Sequence, residues 1–403
     1  MQVKLSQILS SLESGGRPKG GASLDNNGIP SLGAEHLDGN GGFNFKTIKY
    51  IPDDFFNGLK NGIVEKENIL IVKDGATTGK VSFVTDEFPF DKAAVNEHVF
   101  LLKVDKSKAN PKFVFHYLKC PQGQREIMRD FRGATVGGIS RGFVDFVKFE
   151  LPSLPDQLHI ANLLSKAENL IAQRKESIRL LDEFLKSTFL EMFGDPVRNE
   201  KGWDKVVLGN VCKKIGSGST PRGGKESYHK EGISLIRSLN VHNDEFVYKD
   251  LAFIDDKQAH ELRNVIVEEN DVLLNITGAS VARCCIVPKE ILPARVNQHV
   301  SILRPDNEVL NPYFLSRMFT TKTYQLKLVK DAKSKGATRE AITKEELEQM
   351  KVIAPPLSLQ TQFAHIVEKT EALKTQYQQS LQELENLYGS LSQKAFRGEL
   401  IKK

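Results

Sequence analysis

Three short motifs carry side chains that could contact the phosphates or bases of a nucleic acid, and each motif occurs twice. The first is a small, polar loop with basic residues, Ser14–Lys19 and again Ser217–Arg222. Small residues let backbone N–H groups approach an anion, and Arg or Lys adds charge and donors. A plain surface turn is the alternative. The candidate contacts in this motif are Arg17, Lys19, Ser219, Thr220 and Arg222.

The second motif is a turn between apolar runs, Gly75–Lys80 in one copy and Gly278–Arg283 in the other. The first copy superficially resembles a P-loop. It has only three residues between its glycines, and Val81 stands where Ser or Thr should hold magnesium, so we exclude a nucleotide site. Hydroxyl side chains and a basic residue recur together in both copies, which favours a DNA-facing turn over a plain strand-to-strand turn. The candidate contacts are Thr77, Thr78, Lys80, Ser280 and Arg283.

The third motif is Val95–Val99, with the central residues Asn-Glu-His, which returns as Val296–Val300 with Asn-Gln-His. Gln can read adenine with two hydrogen bonds, and Glu can accept one from cytosine. The Asn and His are identical in both copies, so we expect them to serve the shared fold, as a buried histidine and asparagine bracing a core. The differing residues, Glu97 and Gln298, are the candidate base contacts.

Basic residues also gather in both halves of the chain, with few acidic neighbours. Spacings of three and four residues predict a basic stripe on one helical face, which suits phosphate binding. A solvated helix face is the alternative. The groups are Arg125, Arg129, Arg132 and Arg141 in the first half, and Lys327, Lys330, Lys333, Lys335 and Arg339 in the second. All of these except Arg125 and Lys327 are candidate contacts.

Signatures of catalysis and of metal binding are absent from the sequence. The four cysteines form no C-x-x-C pair, and there is no H-E-x-x-H or G-x-S-x-G motif. The segment Ala354–Leu357 lacks the amide and aromatic residues of the Asn-Pro-Pro-Tyr motif of amino-methyltransferases. We therefore predict no catalytic residue and no metal ligand. The adjacent Cys284 and Cys285 are expected to point to opposite faces of an apolar strand.

The repeated motifs keep one order and lie 201 to 203 positions apart in a chain of 403 residues, so a whole domain has been duplicated. Within each copy, strands are expected at Ile69–Val72 and Val272–Leu274, and helices after Pro111 and Pro312. Two similar but non-identical heads suit an elongated target with two different half-sites. Duplex DNA is the obvious candidate.

A long amphipathic helix is expected after each head. Apolar residues at alternating spacings of four and three form a heptad seam of about 35 residues, roughly 50 Å long, which requires a partner helix. We predict that the two helices pair as an antiparallel coiled coil; the alternative is that each packs on its own head. The predicted seam contains Ile160, Leu164, Ile171, Ile178, Leu181 and Leu185, and then Phe363, Val367, Tyr377, Leu384, either Leu387 or Tyr388, and Leu391.

Composition leaves the nature of the partner open. The net charge of +5 permits nucleic-acid binding but does not require it. No apolar stretch reaches the length of about 18 residues that a membrane span needs, and the first residues lack the apolar core of a signal peptide. We therefore expect a soluble, cytoplasmic protein without a membrane partner.

The ends and starts of the two long helices resemble those of the specificity subunit of Type I restriction–modification enzymes. The motifs concerned are Glu191–Pro196 and Lys394–Leu400 at the helix ends, with Leu154–Gln157 and Pro356–Gln360 at the helix starts. The resemblance implies an α+β fold with two mixed α/β target recognition domains joined by two long helices. The domains would be 1–153 and 204–356, and the helical spacers 154–203 and 357–403.

The resemblance also implies a division of labour. Each head would read one half of a bipartite site in double-stranded DNA, while the helices set the spacing and dock two methyltransferase subunits. Those partners would hold S-adenosylmethionine, this chain would bind no cofactor, and two restriction subunits could join. The chain begins almost directly with the first head, so a circularly closed arrangement with neighbouring termini is expected. A coiled-coil adaptor that binds no DNA is the alternative.

Overall fold

The computed structural model describes residues 2–25, 27–133, 137–333 and 341–400. Contacts group the chain into two units, Met1–Lys175 with Ser380–Lys403, and Glu176–Gln379. Each unit therefore combines one head with segments of both long helices. The predicted boundaries between heads and spacers follow the sequence repeat and stay a prediction. In the described residues, no helix is both long enough and apolar enough to cross a membrane.

The first head is built on two small sheets and one separate pair of strands, the first with the last. Its strands are β1 Gln2–Lys4, β2 Leu9–Ser14, β3 Ile29–Leu32, β4 Lys49–Ile51, β5 Ile69–Val72, β6 Val81–Phe83, β7 Ala94–Val95, β8 Val99–Val104 and β9 Lys148–Glu150. The main sheet has the antiparallel order β2-β8-β5-β6, and the second sheet has the order β4-β3-β7, with β3 and β7 parallel. The helices are α1 Asp53–Asn57, α2 Pro111–Lys119, α3 Pro121–Met128, α4 Phe143–Phe146 and the long α5 Leu154–Phe193.

The second head repeats this plan. Its strands are β10 Lys205–Val207, β11 Cys212–Ser217, β12 Ile233–Ile236, β13 Val241–His242, β14 Glu245–Phe246, β15 Ala252–Ile254, β16 Ile266–Val267, β17 Val272–Asn275, β18 Cys284–Ile286, β19 Ala294–Val296, β20 Val300–Pro305 and β21 Lys351–Ile353. The main sheet has the order β11-β20-β17-β18, and the second sheet, β15-β12-β19-β16, again contains one parallel pair, β12 and β19. The helices are α6 Leu208–Val211, α7 Asp256–Glu261, α8 Pro312–Thr320, α9 Lys322–Lys333, α10 Lys344–Glu348 and the long α11 Leu357–Phe396. The duplication seen in the sequence thus recurs in the order of the main sheets and in the parallel pair of the second sheets, while the second head adds β16 to its second sheet and a pair of strands, β13 and β14.

Local sequence explains the predicted elements. Asn110 and Asn311 cap α2 and α8 by accepting hydrogen bonds from the helix N–H groups, and a proline follows each of them, where no N–H is needed. The central strands β5 and β17 are buried along their whole length. On β18, Cys284 packs in the core shared with α8, while Cys285 packs in the core on the other face, as predicted from the alternation of side chains along a strand.

The helices α5 and α11 are 40 residues each, or about 60 Å. In the first unit, the Tyr388 hydroxyl donates to Glu168 at 2.7 Å, and Lys175 pairs with Glu385 at 2.8 Å. Moving forward along α5 therefore means moving backward along α11. The predicted antiparallel helix pair is confirmed.

Burial along the two helices is graded. Seam positions beside a head, such as Ile160, Leu164, Leu185 and Phe363, are fully buried. Among the remaining predicted seam residues, Val367 is buried. The others are half-buried: Ile171, Ile178, Leu181, Tyr377, Leu384 and Leu391. A two-helix pair leaves the flanks of its seam open to solvent, which explains the half-buried middle.

Each long helix is tied to its head by a buried glutamine. The side-chain oxygen of Gln157 accepts from the backbone N–H of Asn110 at 2.8 Å, and that of Gln360 accepts from Asn311 at 2.8 Å. Each glutamine also donates its Nε2 to the carbonyl of the proline five residues before it. The glutamine thereby fixes the start of the long helix against the first turn of the helix in the head.

Replacing Gln360 by Leu should lower the free energy of unfolding by about 2 kcal/mol, because the substitution leaves a backbone N–H and its carbonyl partners without hydrogen bonds in a buried place. Denaturant unfolding measures the change. The matched control is Gln362→Leu, which lies exposed on the same helix. It should stay within about 0.5 kcal/mol of the parent chain. Equal decreases in both variants would contradict the role of Gln360.

Candidate nucleic-acid interface

In both heads the loop of the first motif, Ser14–Lys19 or Ser217–Arg222, lies directly against the turn of the third motif, Val95–Val99 or Val296–Val300. A Cβ atom on Gly15 would lie 1.6 Å from the carbonyl oxygen of Val95, and one on Gly218 would lie 1.8 Å from that of Val296. Only glycine allows so close an approach of two backbones. The loop residues that follow, Arg17 and Thr220, are therefore held beside the turn.

The asparagines of the turn have a structural role in both heads. Asn96 Oδ1 accepts from the backbone N–H of His98 at 2.9 Å, and Asn297 Oδ1 accepts from that of His299 at 3.0 Å. This short bond closes the turn around the residue between them. The expectation that the histidines are buried in a core is wrong: the His98 side chain is 48% exposed. The histidine lies at the end of the turn, where its ring bonds to the neighbouring loop.

In the first head, four side chains form a chain of polar contacts across three loops, which we call the polar chain. Arg17 Nη1 lies 3.6 Å from Glu97 Oε1, and the same oxygen lies 3.6 Å from Nε2 of His98. His98 Nδ1 then donates to Asp74 Oδ1 at 2.6 Å. The chain carries two carboxylates and one guanidinium, so charged groups dominate it.

The second head has a polar chain at the same positions with neutral residues. The Thr220 hydroxyl donates to Gln298 Oε1, and Gln298 Nε2 donates to Nε2 of His299 at 3.1 Å. His299 Nδ1 then donates to the hydroxyl of Thr277. Position by position, arginine becomes threonine, glutamate becomes glutamine and aspartate becomes threonine. One scaffold therefore presents two different sets of hydrogen-bonding groups.

A cavity of about 190 Å³ opens beside the polar chain of the first head, lined by Arg17, Glu97 and His98 together with Glu35 and Lys49. Lys49 Nζ lies 3.4 Å from Glu35 Oε1. Partial burial raises the pKa of Glu35, but a hydrogen bond from its own backbone N–H and electrostatic interactions with His36 and Lys49 outweigh it and hold the pKa below its usual range. Glu35 is therefore an anion at neutral pH.

The second head does not repeat this pair of fixed charges. Leu32 and Ile236 occupy the same register position, because they pair with Val95 and Val296. Leu239 follows Ile236 by three residues, as Glu35 follows Leu32. Ala252 pairs with Leu235 across the sheet, as Lys49 pairs with Ser31, so Leu239 and Ala252 replace Glu35 and Lys49. The electrostatic difference between the heads extends beyond the polar chain.

The turns after β5 and β17 are held partly by their own candidate residues. The Thr78 hydroxyl donates to the Gly75 carbonyl at 2.7 Å, and Lys80 Nζ donates to the Leu37 carbonyl at 3.5 Å. Thr78 thus stabilises the turn itself and Lys80 ties it to the segment of Leu37, which favours the structural interpretation for both side chains. Thr77, Ser280 and Arg283 lie half-exposed in the same turns.

The predicted basic stripe on a helix is wrong for the first head. Helix α3 ends at Met128, and Arg132 instead pairs through its backbone with Gly138. Arg129 Nη1 lies 3.4 Å from Glu126, and Arg132 Nη2 donates to Asp130 at 3.0 Å. The guanidinium of Arg141 donates to the carbonyl of Leu12. Arg129 still caps the C-terminus of α3, but the chain folds back before it reaches Arg132.

The stripe does lie on a helix in the second head. Lys327, Lys330 and Lys333 lie on α9, and the last two are exposed. Lys335 and Arg339 lie outside the described residues. The remaining loop candidates, Lys19, Ser219 and Arg222, are exposed. Among the residues that the structure describes, no cluster of His, Cys, Asp or Glu is suited to hold a metal ion.

The polar chains of the two heads go beyond what the sequence motifs indicate. The motifs identify Glu97 and Gln298, but they give no role at the interface to the histidines or to Asp74 and Thr277. The histidines recur in both copies of the motif, which is the available signal. Asp74 and Thr277 occupy matching positions but differ in residue type, so identity between the two copies does not reveal them.

A family model describing the Type I restriction modification DNA specificity domain matches residues 1–180 and 200–386. Among curated proteins, the Type I restriction enzyme EcoBI specificity subunit of Escherichia coli is 24% identical over 340 residues, covering 77% of this chain and 70% of the relative. The EcoKI specificity subunit of Escherichia coli strain K12 is 21% identical over 395 residues, covering 92% of this chain and 82% of the relative.

Solved structures support the same fold. The crystal structure of a Type I restriction–modification S subunit from M. genitalium matches with a TM-score of 0.61 at 16% identity, over 98% of this chain and 96% of that chain. A chain from a study of assembly and conformational transition of the type I R-M system matches with a TM-score of 0.59 at 18% identity, over 99% of this chain and 98% of that chain. Because the family model matches both heads and most of the sequence, the chain belongs to the family of Type I restriction modification DNA specificity proteins.

Proposed function

We propose that this chain is the recognition subunit of a Type I restriction–modification complex and that each head reads one half of a bipartite DNA site. The polar chain carries the proposal. It occupies the same place in both heads, at the meeting point of three loops, but presents charged groups in one head and neutral groups in the other. A shared scaffold with exchanged hydrogen-bonding groups suits two readers of different base sequences.

Methylated-motif sequencing tests this function directly. In cells that express the chain with its partner methyltransferase, the proposal predicts one asymmetric, bipartite motif that disappears when the chain is deleted. Methylation at the same motif without the chain would contradict the proposal. The adaptor alternative predicts no such dependence, and neither the family nor the relatives support it.

The helices α5 and α11 are proposed to set the spacing of the half-sites and to dock two methyltransferase subunits. Each unit joins one head to segments of both helices, so each offers a similar surface to an identical partner. Two restriction subunits would complete a cleaving complex, which would act in the cytoplasm on double-stranded DNA.

Catalysis is assigned to the partner subunits. The sequence of this chain lacks the Asn-Pro-Pro-Tyr motif of an amino-methyltransferase. We expect calorimetric titration of the purified chain with S-adenosylmethionine to give no saturable binding, whereas the assembled complex should bind it. Micromolar binding by the chain alone would contradict its role as a pure recognition subunit.

The exposed lysines of α9 are proposed to bind phosphates, together with Lys335, which belongs to the same basic group of the sequence. Replacing Lys330 and Lys333 by Ala should weaken binding of the assembled complex to all DNA sequences alike. The slope of log affinity against log salt should become shallower by about one unit for each lysine–phosphate pair removed. Fluorescence titration across a salt series measures both quantities.

A charge-matched control separates a local interaction from a general effect of net charge. Lys205 and Lys351 are exposed on the paired strands β10 and β21, away from α9 in the sequence, and their double replacement removes the same charge. It should leave the salt slope nearly unchanged. A decrease in affinity confined to the cognate sequence in the α9 variant, at an unchanged slope, would mean that these lysines read bases.

A further inference from the structure

The amide of Gln298 is held at both ends while part of its hydrogen-bonding capacity is left over. Its Oε1 accepts from the Thr220 hydroxyl, and its Nε2 donates to His299 Nε2 at 3.1 Å. A carboxamide oxygen can accept two hydrogen bonds, and the NH₂ group can donate two. One lone pair of Oε1 and one N–H of Nε2 on the same amide are therefore left for a ligand.

The neighbours of Gln298 hold its amide in place from both ends. Thr220 Oγ1 donates to Oε1, and Nε2 donates to Nε2 of His299, whose Nδ1 is hydrogen-bonded to the Thr277 hydroxyl. Gln298 is nonetheless exposed. An oriented amide at the surface loses less side-chain entropy on binding than a free one, so the arrangement is preorganised for recognition.

The two groups left over match one base edge in the major groove. Adenine presents the N7 acceptor beside the N6 donor, whereas guanine presents two acceptors, cytosine offers a donor and thymine an acceptor. Only adenine satisfies both the N–H and the lone pair of the amide. We infer that Gln298 is a specificity-determining residue that reads an adenine in the half-site of the second head, with Thr220 and His299 as positioning residues. This inference rests on the function proposed above.

The corresponding residue of the first head should demand a different base group. The Glu97 carboxylate, flanked by Arg17 and His98, can accept hydrogen bonds but cannot donate one to adenine N7. It suits the exocyclic amine of cytosine. The single change from glutamate to glutamine at one position of the repeat therefore changes what each head requires.

The test uses the complete complex and a panel of duplexes in which each position of the second half-site carries each of the four bases. In the Gln298→Glu variant, the preference for adenine should fall by about 5- to 150-fold at one position, because one of the two bonds to the base is removed. The first half-site should be unchanged. Thr220→Val, which removes the hydroxyl at nearly constant volume, should give a smaller decrease at the same position.

The reverse substitution in the first head is the matched control. Glu97→Gln should alter one position of the first half-site and leave the second as it was. In each variant, unchanged discrimination among bases in the other half-site reports that the complex is assembled and folded.

The inference is overturned if Gln298→Glu keeps the adenine preference at every position, or lowers methylation equally for all four bases. Either result would make Gln298 a structural or phosphate-binding residue. A failure of the proposed function looks different: the unaltered complex would itself show no discrimination in the second half-site.

Discussion

A single residue inserted into α5 near Gln173 is expected to abolish methylation at the cognate site, whereas four inserted residues should restore it with a longer spacer. One residue turns an α-helix by about 100°, while four residues turn it by about 400°, a net of about 40°, and advance it by about 6 Å. One base pair turns DNA by about 35° and advances it by about 3.4 Å. Four residues therefore nearly restore the angular phase of one additional base pair.

The insertion must preserve the helix pair, so a matching insertion belongs in the facing part of α11. The ion pair between Lys175 and Glu385 identifies that part of the helix. The expected product of the four-residue variant is a motif with unchanged half-sites and a spacer about one base pair longer. Full activity with an unchanged spacer would mean that the helices do not set the distance between the half-sites.

The repeat made much of the fold predictable. Because both copies carry the same motifs in the same order, the strand order of one head recurs in the other, as β2-β8-β5-β6 and β11-β20-β17-β18. The heptad pattern predicted the antiparallel helix pair. Where the pattern left Leu387 and Tyr388 as alternatives, the structure decides: Leu387 is 50% exposed, whereas Tyr388 bonds to Glu168.

Packing between the helices and the heads was less predictable. Phe189 and Phe193 are fully buried against Phe314 and Phe363, although neither belongs to the predicted seam. They serve the face of α5 that meets the second head. A periodicity that describes a two-helix seam carries no information about a third element.

The candidate interface was predictable only in part, for two physical reasons. The polar chain joins residues more than 20 positions apart, such as Asp74 with His98 and Thr277 with His299, and local sequence does not specify such contacts. The basic stripe depended on a helix continuing past Met128. Regular spacing of Arg129 and Arg132 could not show that the chain folds back there.

Exchanging the first head for that of another specificity protein should replace one half-site completely. Each main sheet and its second sheet belong to a single head, and the polar chain of each head is formed entirely within it. The reading groups should therefore move with residues 1–153. Because the buried Gln157 fixes α5 to Asn110 of the head, the incoming head must supply an equivalent capping residue for the hybrid to assemble.

The reciprocal exchange of residues 204–356 is the matched control, and Gln360 with Asn311 gives the corresponding junction. It should alter the other half-site and leave the first intact. Both hybrids keep α5 and α11, so the spacer should remain the same length in both. A spacer that changes with the head would indicate that the loops of the heads, rather than the helices, determine the spacing.

Methylated-motif sequencing of these two hybrids, each expressed with the same methyltransferase, tests the central claim that the heads read independently. The predicted result is one new and one retained half-site in each hybrid. The hybrid with a new first head should retain the second half-site, and the hybrid with a new second head should retain the first. A change in both half-sites of either hybrid, or an unchanged motif in both, would contradict the claim.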